Sequence, residues 1–252
     1  MAQPFQNKVA LITGASRGIG RAIAIQFASL GAHIVVNYVR NEAAADEVVK
    51  TLSQFGVRAF PYCANVGNPE ALDDLVKAAL EEFGQIDILV HNAALGAFKP
   101  VHKLKLNQWE LSLDVNTKAF FLLTQKVLPS MERTGEGIII AISSLGAHRF
   151  IPDYGAIGIS KAALETLVKY LAVELAPKKI RVNCVSGGLV DTDALKSFPR
   201  YEEFKKEAVQ RTPAGRIGAP EDLARIVAFL ASQESAWIYG QTLVADGGLS
   251  LI

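Results

Sequence analysis

The sequence predicts an α/β fold: a doubly wound parallel sheet of seven strands, with helices on both faces, in a single domain. Seven short apolar runs alternate with longer stretches that have helical periodicity. A glycine-rich segment lies directly between the first apolar run and the first helical stretch. No linker or internal repeat divides the 252 residues, of which 50% are hydrophobic. A chain of this length and composition can bury one large core.

The order of the elements follows from the apolar runs and the residues that bound them. Apolar runs without polar alternation are typical of parallel strands that are buried on both faces. Proline at the start and glycine after the end bound the helix at 69–83. The predicted strands are 9–13, 33–38, 58–63, 86–91, 138–142, 180–185 and 241–245, and the predicted helices are 21–30, 42–55, 69–83, 107–131, 161–174 and 220–232.

The glycine-rich segment Gly-Ala-Ser-Arg-Gly-Ile-Gly joins the first strand to the first helix. Such a turn lets backbone N–H groups approach a pyrophosphate, and the dipole of the following helix favours the negative charge. The alternative, a turn with only a structural role, explains the position less well, because the strand–turn–helix context is the one that dinucleotide binding requires. The predicted cofactor contacts in this turn are Gly14, Ser16, Arg17, Gly18, Ile19 and Gly20.

The end of the second strand indicates which dinucleotide is bound. An acidic residue there would accept hydrogen bonds from the adenosine ribose of NAD. This chain has no carboxylate between the strand and Glu42, and it has Arg40 instead. Together with Arg17, this arginine can bind a 2′-phosphate, so the sequence favours NADPH. The alternative is that both arginines are simply solvated.

Residues just past the carboxyl ends of the other strands are expected to line the same crevice, because ligands of doubly wound sheets bind at that edge. Those after the third strand are expected to touch adenine, and the small residues after the fourth let the backbone pass close to the cofactor. The predicted contacts are Asn65 and Val66 after the third strand, Asn92, Ala93 and Ala94 after the fourth, and Gly188, Leu189 and Thr192 after the sixth.

Three residues around the fifth strand form a pattern that is typical of proton transfer. Ser144 follows the strand, and Tyr154 and Lys161 come next on a predicted helix, seven residues apart. Seven residues are nearly two turns, so both side chains can share one face. A tyrosine titrates near pH 10, so we expect Lys161 to lower the pKa of Tyr154 and to bind a ribose hydroxyl. Ser144 can orient or polarise a substrate oxygen.

Two further segments need a separate interpretation. The only Tyr-x-x-x-Lys in the chain, Tyr201 to Lys205, lies in a charged run that no strand precedes, and we interpret it as a solvated helix. The region 193–216 is the least regular of the chain and carries Phe198 and Pro199. Aromatic residues and prolines in a long connection predict a substrate lid, with a surface excursion as the alternative.

The composition of the chain limits the kinds of function that it can have. The net charge of +1 gives no indication of nucleic-acid or membrane binding. The four histidines lack metal-ligand spacing, so no metal is expected. Cys63 and Cys184 lie in apolar runs and are predicted to be reduced core residues. A polar N-terminus and the lack of a membrane-length apolar run predict a cytoplasmic protein.

A basic cluster follows the fourth predicted strand. Lys99, His102, Lys103 and Lys105 lie within seven residues. Such a cluster either attracts an acidic partner protein or is a solvated charged loop, and the sequence leaves both readings open.

The motifs together resemble the short-chain dehydrogenase/reductase family over essentially the whole chain. They are Thr-Gly-x-x-x-Gly-x-Gly at 13–20, Asn-Ala-Ala at 92–94, Asn116, Ser144 and the segment 186–192. The resemblance implies a Rossmann sheet of seven parallel strands, NAD(P)(H) and a homotetramer formed through the long helices. It also implies that Thr192 contacts the nicotinamide amide. Asn116, which on its own reads as a solvated or back-bonded helix residue, would hold a water in a proton relay.

The departures from the family pattern point to one branch. The family's common tyrosine lies four residues before the lysine, where this chain has Ile157, and His91 and Gly187 stand where asparagine and proline are usual. Asn65 stands where aspartate is usual. The Tyr-x₆-Lys spacing instead resembles the type III enoyl-acyl-carrier-protein reductases. That resemblance implies NADPH-dependent reduction of the 2,3 double bond of trans-2-enoyl thioesters in fatty acid synthesis.

The chemistry gives a reason for the displaced tyrosine. In ketone reduction the hydride reaches the carbon that bears the oxygen, whereas in enoyl reduction it reaches the β-carbon, further from the oxygen that needs the proton. Moving the tyrosine by three helical residues displaces it by about 4.5 Å. Two alternatives stay open: a 3-oxoacyl or other carbonyl reductase, and a catalytically weak NADPH-binding regulatory protein. The sequence does not distinguish a carrier-protein thioester from a coenzyme A thioester.

Overall fold

The computed structural model describes residues 3–196 and 201–252 and contains one seven-stranded sheet. All strand pairs are parallel, and the spatial order is β3-β2-β1-β4-β5-β6-β7. The predicted fold class is thereby confirmed. The strands are β1 (Val9–Ile12), β2 (His33–Tyr38), β3 (Ala59–Cys63), β4 (Ile88–His91), β5 (Gly137–Ser144), β6 (Ile180–Gly187) and β7 (Thr242–Ala245).

Helices cover both faces of this sheet. The helices α4 and α5 form one continuous rod, because a π-helical turn over Asp114–Lys118 joins them. The bounds are α1 (Gly18–Ser29), α2 (Glu42–Ser53), α3 (Pro69–Phe83), α4 (Leu106–Leu113), α5 (Ala119–Thr134), α6 (Gly155–Leu175), α7 (Asp193–Lys196), α8 (Tyr201–Arg211) and α9 (Pro220–Ala231).

The first strand shows why the apolar runs are continuous. Ala10 and Ile12 pack into the core on the side of α1, α2 and α9, whereas Val9 and Leu11 pack into the core on the side of α3, α5 and α6. Alternate side chains of a strand point to opposite faces, and here both faces are covered. A strand in this position therefore needs an apolar residue at every place.

The topology leaves a crevice at one edge of the sheet. β1 lies between β2 and β4, so the chain leaves β1 on one side for β2 and returns on the other side to β4. The connections after β1 and β4 therefore diverge at their carboxyl ends, which is where ligands bind in open α/β sheets. The glycine-rich turn and the segment after β4 lie at this point.

The region 193–216 differs from the expectation of an irregular segment. It contains α7 and α8, and the second of these confirms the helix predicted around Tyr201 and Lys205. The run Glu-Glu-Phe-Lys-Lys-Glu-Ala consists mostly of residues that favour a helix, and this preference prevailed over the neighbouring prolines. Phe198 and Pro199, on which the lid prediction partly rested, lie outside the described residues.

The two cysteines have different environments. Cys184 is fully buried in the central strand β6, as predicted. The prediction for Cys63 is wrong, because this thiol is exposed. It ends β3, which is the edge strand of the sheet and lacks a covering neighbour on its outer side.

Within the described ranges, no helix is long and apolar enough to cross a membrane. The same residues contain no group of three or more potential metal-ligating side chains.

Candidate active site

The glycine-rich turn after β1 is built to hold an anion close to the backbone. Gly14 has a φ of +64°, in the left-handed region that favours glycine. A Cβ on Gly20 would lie 2.3 Å from the carbonyl oxygen of Gly14, so only glycine fits there. The first turn of α1 has no side-chain cap and no acidic residue, whereas Asn41 and Asn68 cap α2 and α3. Its N–H groups are therefore available to a pyrophosphate, and the turn fits a dinucleotide.

Asn37, which the sequence analysis did not single out, fixes this turn. Its Oδ1 accepts a hydrogen bond from the Gly14 N–H at 3.2 Å, and its carbonyl accepts one from the Ala15 N–H at 2.8 Å. Its Nδ2 donates to the Ala64 carbonyl at 3.0 Å, directly before Asn65. The ends of β1, β2 and β3 are thus tied together by one fully buried side chain.

The predicted adenine contacts lie just beyond this tie. Val66 is buried, whereas Asn65 is exposed and accepts a hydrogen bond from the Gly67 N–H at 3.0 Å through its Oδ1. Asn65 therefore shapes its own turn after β3, and its role toward a ligand stays a prediction.

Thr13 ties the segment after β4 to the same turn. Its Oγ1 accepts hydrogen bonds from the N–H groups of Asn92 and Ala93, each at 3.0 Å. Asn92 Nδ2 donates in return to the carbonyls of Thr13 and Gly14 at 3.0 and 3.1 Å. The predicted residues Asn92 and Ala93 therefore lie against the glycine turn, and Ala94 is exposed next to them.

The segment after β6 reaches the glycine turn from the other side. The methyl Cγ2 of Thr192 lies 3.4 Å from where a Cβ on Gly18 would be. Gly188 N–H donates to the Ala245 carbonyl at 3.1 Å, and the Leu189 carbonyl accepts from the Gly218 N–H at 2.8 Å. The predicted contacts after β1, β4 and β6 therefore gather around one crevice.

Tyr154 lies at the start of α6 rather than within it. It is the N-cap residue, with a non-helical φ of −98° and ψ of 4°, and its carbonyl accepts the first helical hydrogen bond from Gly158. Its hydroxyl donates to Ser144 Oγ at 3.2 Å. The ring lies 6.1 Å from the ring of Phe98, centroid to centroid. The predicted pair of Ser144 and Tyr154 is thus brought together.

The environment of Tyr154 differs from the expectation in one respect. Burial raises the pKa of the phenol above its usual value, and the hydrogen bond with Ser144 only partly opposes this shift. Lys161, predicted to lower that pKa, directs its ammonium to the Ile142 carbonyl at 2.6 Å. The expectation is corrected for this reason: the cation is engaged by the strand backbone, and desolvation dominates at the phenol.

Lys161 itself is strongly perturbed. It lies within α6 and is only 3% exposed. Burial lowers its pKa to about 8, although negative charge at Cys184 and Glu165 would oppose the shift. A lysine that titrates close to neutrality in a crevice is a mark of a functional site rather than of a stabilising ion pair.

Asn116 is neither solvated nor bonded to its own helix. Its Oδ1 accepts from the Leu95 N–H at 2.8 Å, and its Nδ2 donates to the Leu95 carbonyl at 3.0 Å and to Ser160 Oγ at 2.8 Å. It lies in the π-helical turn, a local irregularity that often occurs at functional sites. The side chain therefore holds the segment after β4 against α6. Because its side-chain groups are used in this way, a water in a proton relay would have to bind the backbone of Asn116, and this role stays a prediction.

Ile157 fills the position where the family usually has its tyrosine. It is 7% exposed, and a Cβ on Gly96 would lie 2.3 Å from its Cγ1. The apolar side chain therefore packs directly against the backbone of the segment after β4. Residue 157 therefore has a packing role, and the phenol that lies beside Ser144 is that of Tyr154.

A second polar network behind the site was not predicted. Ser143 Oγ donates to Glu165 Oε1 at 2.5 Å, and Glu165 Oε2 pairs with His148 Nε2 at 2.8 Å. Glu165 lies one helical turn after Lys161 and is 5% exposed. The sequence does contain a signal for this network: a glutamate lies four residues after the candidate lysine, on the buried face of an apolar helix.

His91, another departure from the family pattern, is completely buried at the end of β4. Thr13 Oγ1 already accepts two N–H groups, so its own hydrogen points to His91 Nδ1, 3.3 Å away. This assigns the proton of the ring to Nε2, which is buried without a hydrogen-bond partner among the described residues. Burial lowers the pKa of His91 to about 3, so the ring stays neutral.

Comparisons with known proteins agree with this geometry. A family model described as "Enoyl-(Acyl carrier protein) reductase" matches residues 14–250. The chain is 41% identical over 250 residues to "Dehydrogenase/reductase SDR family member 4" of Sus scrofa, covering 98% of this chain and 88% of that protein. It is 39% identical over 249 residues to "1-cyclohexenylcarbonyl-CoA reductase" of Streptomyces collinus, covering 98% and 88%.

A solved structure shows the same fold along nearly the whole chain. It is a 7α-hydroxysteroid dehydrogenase complexed with NADH and 7-oxo glycochenodeoxycholic acid. The match has a TM-score of 0.93 at 38% identity and covers 98% of this chain and 95% of that one.

The fold and the crevice define an oxidoreductase built on a doubly wound dinucleotide-binding sheet. The chain belongs to the short-chain dehydrogenase/reductase family. The family predicted from the motifs is therefore confirmed. The similar proteins are named for different reactions, so they do not by themselves select the type III branch.

Proposed function

We propose that this protein is an NADPH-dependent enoyl-acyl-carrier-protein reductase, which reduces the 2,3 double bond of trans-2-enoyl thioesters in fatty acid synthesis. The observation that carries the proposal is the position of the phenol: Tyr154 caps α6 and is bonded to Ser144, while Ile157 fills the family's usual tyrosine position. The description of the matching family model supports it. So does the relative from Streptomyces collinus, whose named substrate has a double bond conjugated with a thioester carbonyl.

The residues of the site fit this chemistry. Bound NADPH supplies the hydride for the β-carbon. The raised pKa of Tyr154 keeps its hydroxyl protonated at neutral pH, so the hydroxyl is ready to donate to the thioester oxygen, which becomes an enolate oxygen. Ser144 orients that hydroxyl, and Lys161 holds a ribose hydroxyl beside it. Gly188, Leu189 and Thr192 line the nicotinamide end of the crevice.

The second candidate is a 3-oxoacyl or other carbonyl reductase. It is favoured by the matched 7α-hydroxysteroid dehydrogenase, whose structure holds a 7-oxo compound. In this reading Tyr154 reaches a ketone oxygen directly. A third reading, a catalytically weak NADPH-binding regulatory protein, predicts no turnover with either substrate.

One experiment distinguishes the three readings. The protein is incubated with NADPH and either a crotonyl or an acetoacetyl thioester, and oxidation of the nicotinamide is followed by its absorbance. We expect oxidation with the crotonyl thioester. Oxidation with the acetoacetyl thioester alone would replace the proposal by the second candidate, and oxidation with neither would leave the third.

The cofactor preference rests on two exposed arginines. Within the described residues, neither Arg17 nor Arg40 takes part in an ion pair. The bonds from Asn37 to Gly14 and Ala15 hold the glycine turn against the end of β2, so both arginines flank the same edge of the crevice. Two guanidinium groups without an ion pair at this edge support a 2′-phosphate, and therefore NADPH, as the proposed ligand.

We expect Arg40→Asp to lower kcat/KM with NADPH by about tenfold or more, the weight of a charge-assisted bond to phosphate. The value for NADH should be unchanged or higher, because a carboxylate can bind the ribose hydroxyls. Steady-state kinetics with both cofactors measure the change, and the NADH value serves as the internal control. Equal use of NADPH and NADH by the unmodified protein would contradict the assignment.

The assembly is proposed to be a homotetramer. Exposed large apolar side chains occur on two separate parts of the surface, and a tetramer of dihedral symmetry needs at least two different interfaces. One set lies on the long helices and the other on α9 and around the edge strand β7. The first set comprises Leu111, Phe121, Ile159, Tyr170 and Val173, and the second comprises Phe229, Trp237 and Val244.

We expect tetramers in sedimentation velocity at micromolar concentration. Val173→Glu should disrupt the first interface and Trp237→Glu the second, because each places a charge on an apolar surface. Each single variant should then sediment as a dimer and the double variant as a monomer. An unmodified protein that sediments only as a monomer would rule the assembly out.

The segment 193–216 stays proposed as a substrate lid. It begins directly after Thr192, whose methyl group lies close to Gly18 of the glycine turn, and this nearness to the cofactor end of the crevice supports the proposal. Tyr201 and Lys205 connect α8 to Asp191 through side-chain bonds of 3.4 and 3.1 Å.

A further inference from the structure

The segment after β4 forms one wall of the entrance to the candidate active site. The ring of Phe98 packs against the ring of Tyr154 at a centroid distance of 6.1 Å. Val101 packs beside the same tyrosine, since a Cβ on Gly155 would lie 2.1 Å from Val101 Cγ2. The outer surface of this segment therefore lies beside Tyr154.

That outer surface is positively charged and has no counter-charge of its own. The chain contains no acidic residue between Asp87 and Glu110. The exposed side chains here, which we call the basic wall, are Lys99, His102, Lys103 and Lys105.

Several lysines elsewhere on the surface are paired with a neighbouring carboxylate. Lys8, Lys118, Lys126, Lys178 and Lys205 each pair with a carboxylate. In the part of the chain that the structure describes, no ion pair involves a residue of the basic wall. What distinguishes its three lysines is that the segment between Asp87 and Glu110 carries no carboxylate at all.

We propose that the basic wall is the docking surface for an acidic acyl-carrier protein that presents its thioester to Tyr154. The inference rests on the proposed function. Val101 and Leu106, which are 49% and 71% exposed, lie among the cations and supply apolar contact area. A partner with an acidic face would be steered to this surface by charge and held next to the entrance.

The geometry favours a carrier protein over the phosphates of coenzyme A. The charges are distributed over the outer side of a seven-residue stretch that includes the short helical turn Val101–Lys103. They are interleaved with exposed apolar side chains, as expected of a protein–protein contact with a polar rim. A small phosphate group would instead be expected to need converging, partly buried donors, and these lysines are all exposed.

The test compares one acyl chain on three carriers. Crotonyl thioesters of acyl-carrier protein, of coenzyme A and of the neutral N-acetylcysteamine are assayed with the unmodified protein and with Lys103→Glu/Lys105→Glu. We expect the double variant to lose about tenfold or more in kcat/KM with the carrier-linked substrate at low salt. That loss should shrink as salt screens the charges. The value for the N-acetylcysteamine thioester should not change, because neither lysine is part of the catalytic site.

The matched control is Lys50→Glu/Lys77→Glu, which changes the net charge equally at exposed positions on α2 and α3. This variant should retain full activity with all three substrates. Both double variants should melt near the temperature of the unmodified protein. If the Lys103/Lys105 variant does not fold, Lys99→Glu alone replaces it. We then expect a smaller fall in kcat/KM with the carrier-linked substrate and again no change with the neutral thioester.

The other outcomes overturn the proposal. An equal loss of kcat/KM with the neutral thioester would mean that the basic wall only maintains the structure of the catalytic site. If kcat/KM falls as much with the coenzyme A thioester as with the carrier-linked one, the basic wall binds the phosphates of coenzyme A. If kcat/KM does not fall with any substrate, the basic wall is a solvated loop. If the neutral thioester is not reduced at all, the proposed function fails on its own. Direct titration with crotonyl carrier protein then decides docking, because only the unmodified protein and the control should bind it.

Discussion

Tyr154→Phe is expected to lower turnover by about two orders of magnitude or more, the usual weight of a positioned acid. The substitution keeps the ring, which packs against Phe98, and removes only the hydroxyl that bonds to Ser144. Dinucleotide binding should survive, because Lys161 and the glycine turn are unchanged. Single-turnover reduction of a crotonyl thioester and a titration with NADPH measure the two quantities separately.

The matched control is Tyr201→Phe, because Tyr201 and Lys205 have the family's common spacing but lie on α8. This variant should retain nearly full turnover. Full enoyl reduction by Tyr154→Phe would return the proton-donating role to Ser144 or to a water molecule.

The double variant Tyr154→Phe/Ile157→Tyr tests the displaced phenol directly. It restores the common spacing, but Ile157 packs against Gly96, where there is no space for even a Cβ. We therefore expect no recovery of enoyl reduction, although weak ketone reduction can emerge if the new ring turns toward the crevice. Recovery of enoyl reduction would show that the position of the phenol does not select the reaction.

Lys161→Met is expected to remove activity and yet to stabilise the fold at neutral pH. In the folded protein burial lowers the pKa of Lys161 from 10.5 to about 8, so the fold disfavours the charged form. The resulting penalty is complete below pH 8, declines as pH rises from 8 to 10.5, and is absent above that range. A shift of this size corresponds to about 3 kcal/mol, and the lost hydrogen bond to Ile142 offsets about 1 kcal/mol of the gain.

Denaturant unfolding of the protein without cofactor measures this effect. The stability difference between Lys161→Met and the unmodified protein should be largest at pH 7 and should shrink toward pH 10. Lys169→Met, an exposed position two turns further along α6, is the control and should show little effect at either pH. A loss of stability at pH 7, or a difference independent of pH, would contradict the prediction. Turnover and dinucleotide affinity should fall together, since the cation serves both.

The local pattern of the sequence was sufficient for most of the fold. The helix α3 was predicted with the observed bounds, because Pro69 starts it and Gly84 ends it in the left-handed conformation. The helical pattern was recognised only from Lys161, six residues after the start of α6, although Tyr154 and Lys161 were expected to share one helix face. Gly155 and Gly158 weaken the helical signal there, so the pattern did not reveal that Tyr154 caps the helix.

The predicted site residues were those whose role can be seen in a local motif, such as the glycine turn. Asn37 and Glu165 were missed, and Thr13 was noted only as part of the family motif, because their partners are distant in sequence. Asn37 bonds to Ala64, and Glu165 bonds to Ser143 across two elements. Such contacts exist only once the sheet has brought the strand ends together.

The π-helical turn at 114–118 has a consequence for the rotational phase of the rod that α4 and α5 form. Each residue of a helix advances its face by about 100°. The turn absorbs one residue more than an α-helical turn would, and Ser112 of α4 is buried, as are Phe120 and Leu123 of α5. Deletion of one residue in the turn would therefore leave an ordinary α-helix with both halves in place, whereas deletion of one residue within α5 would rotate the apolar stripe beyond it by about 100° away from the core.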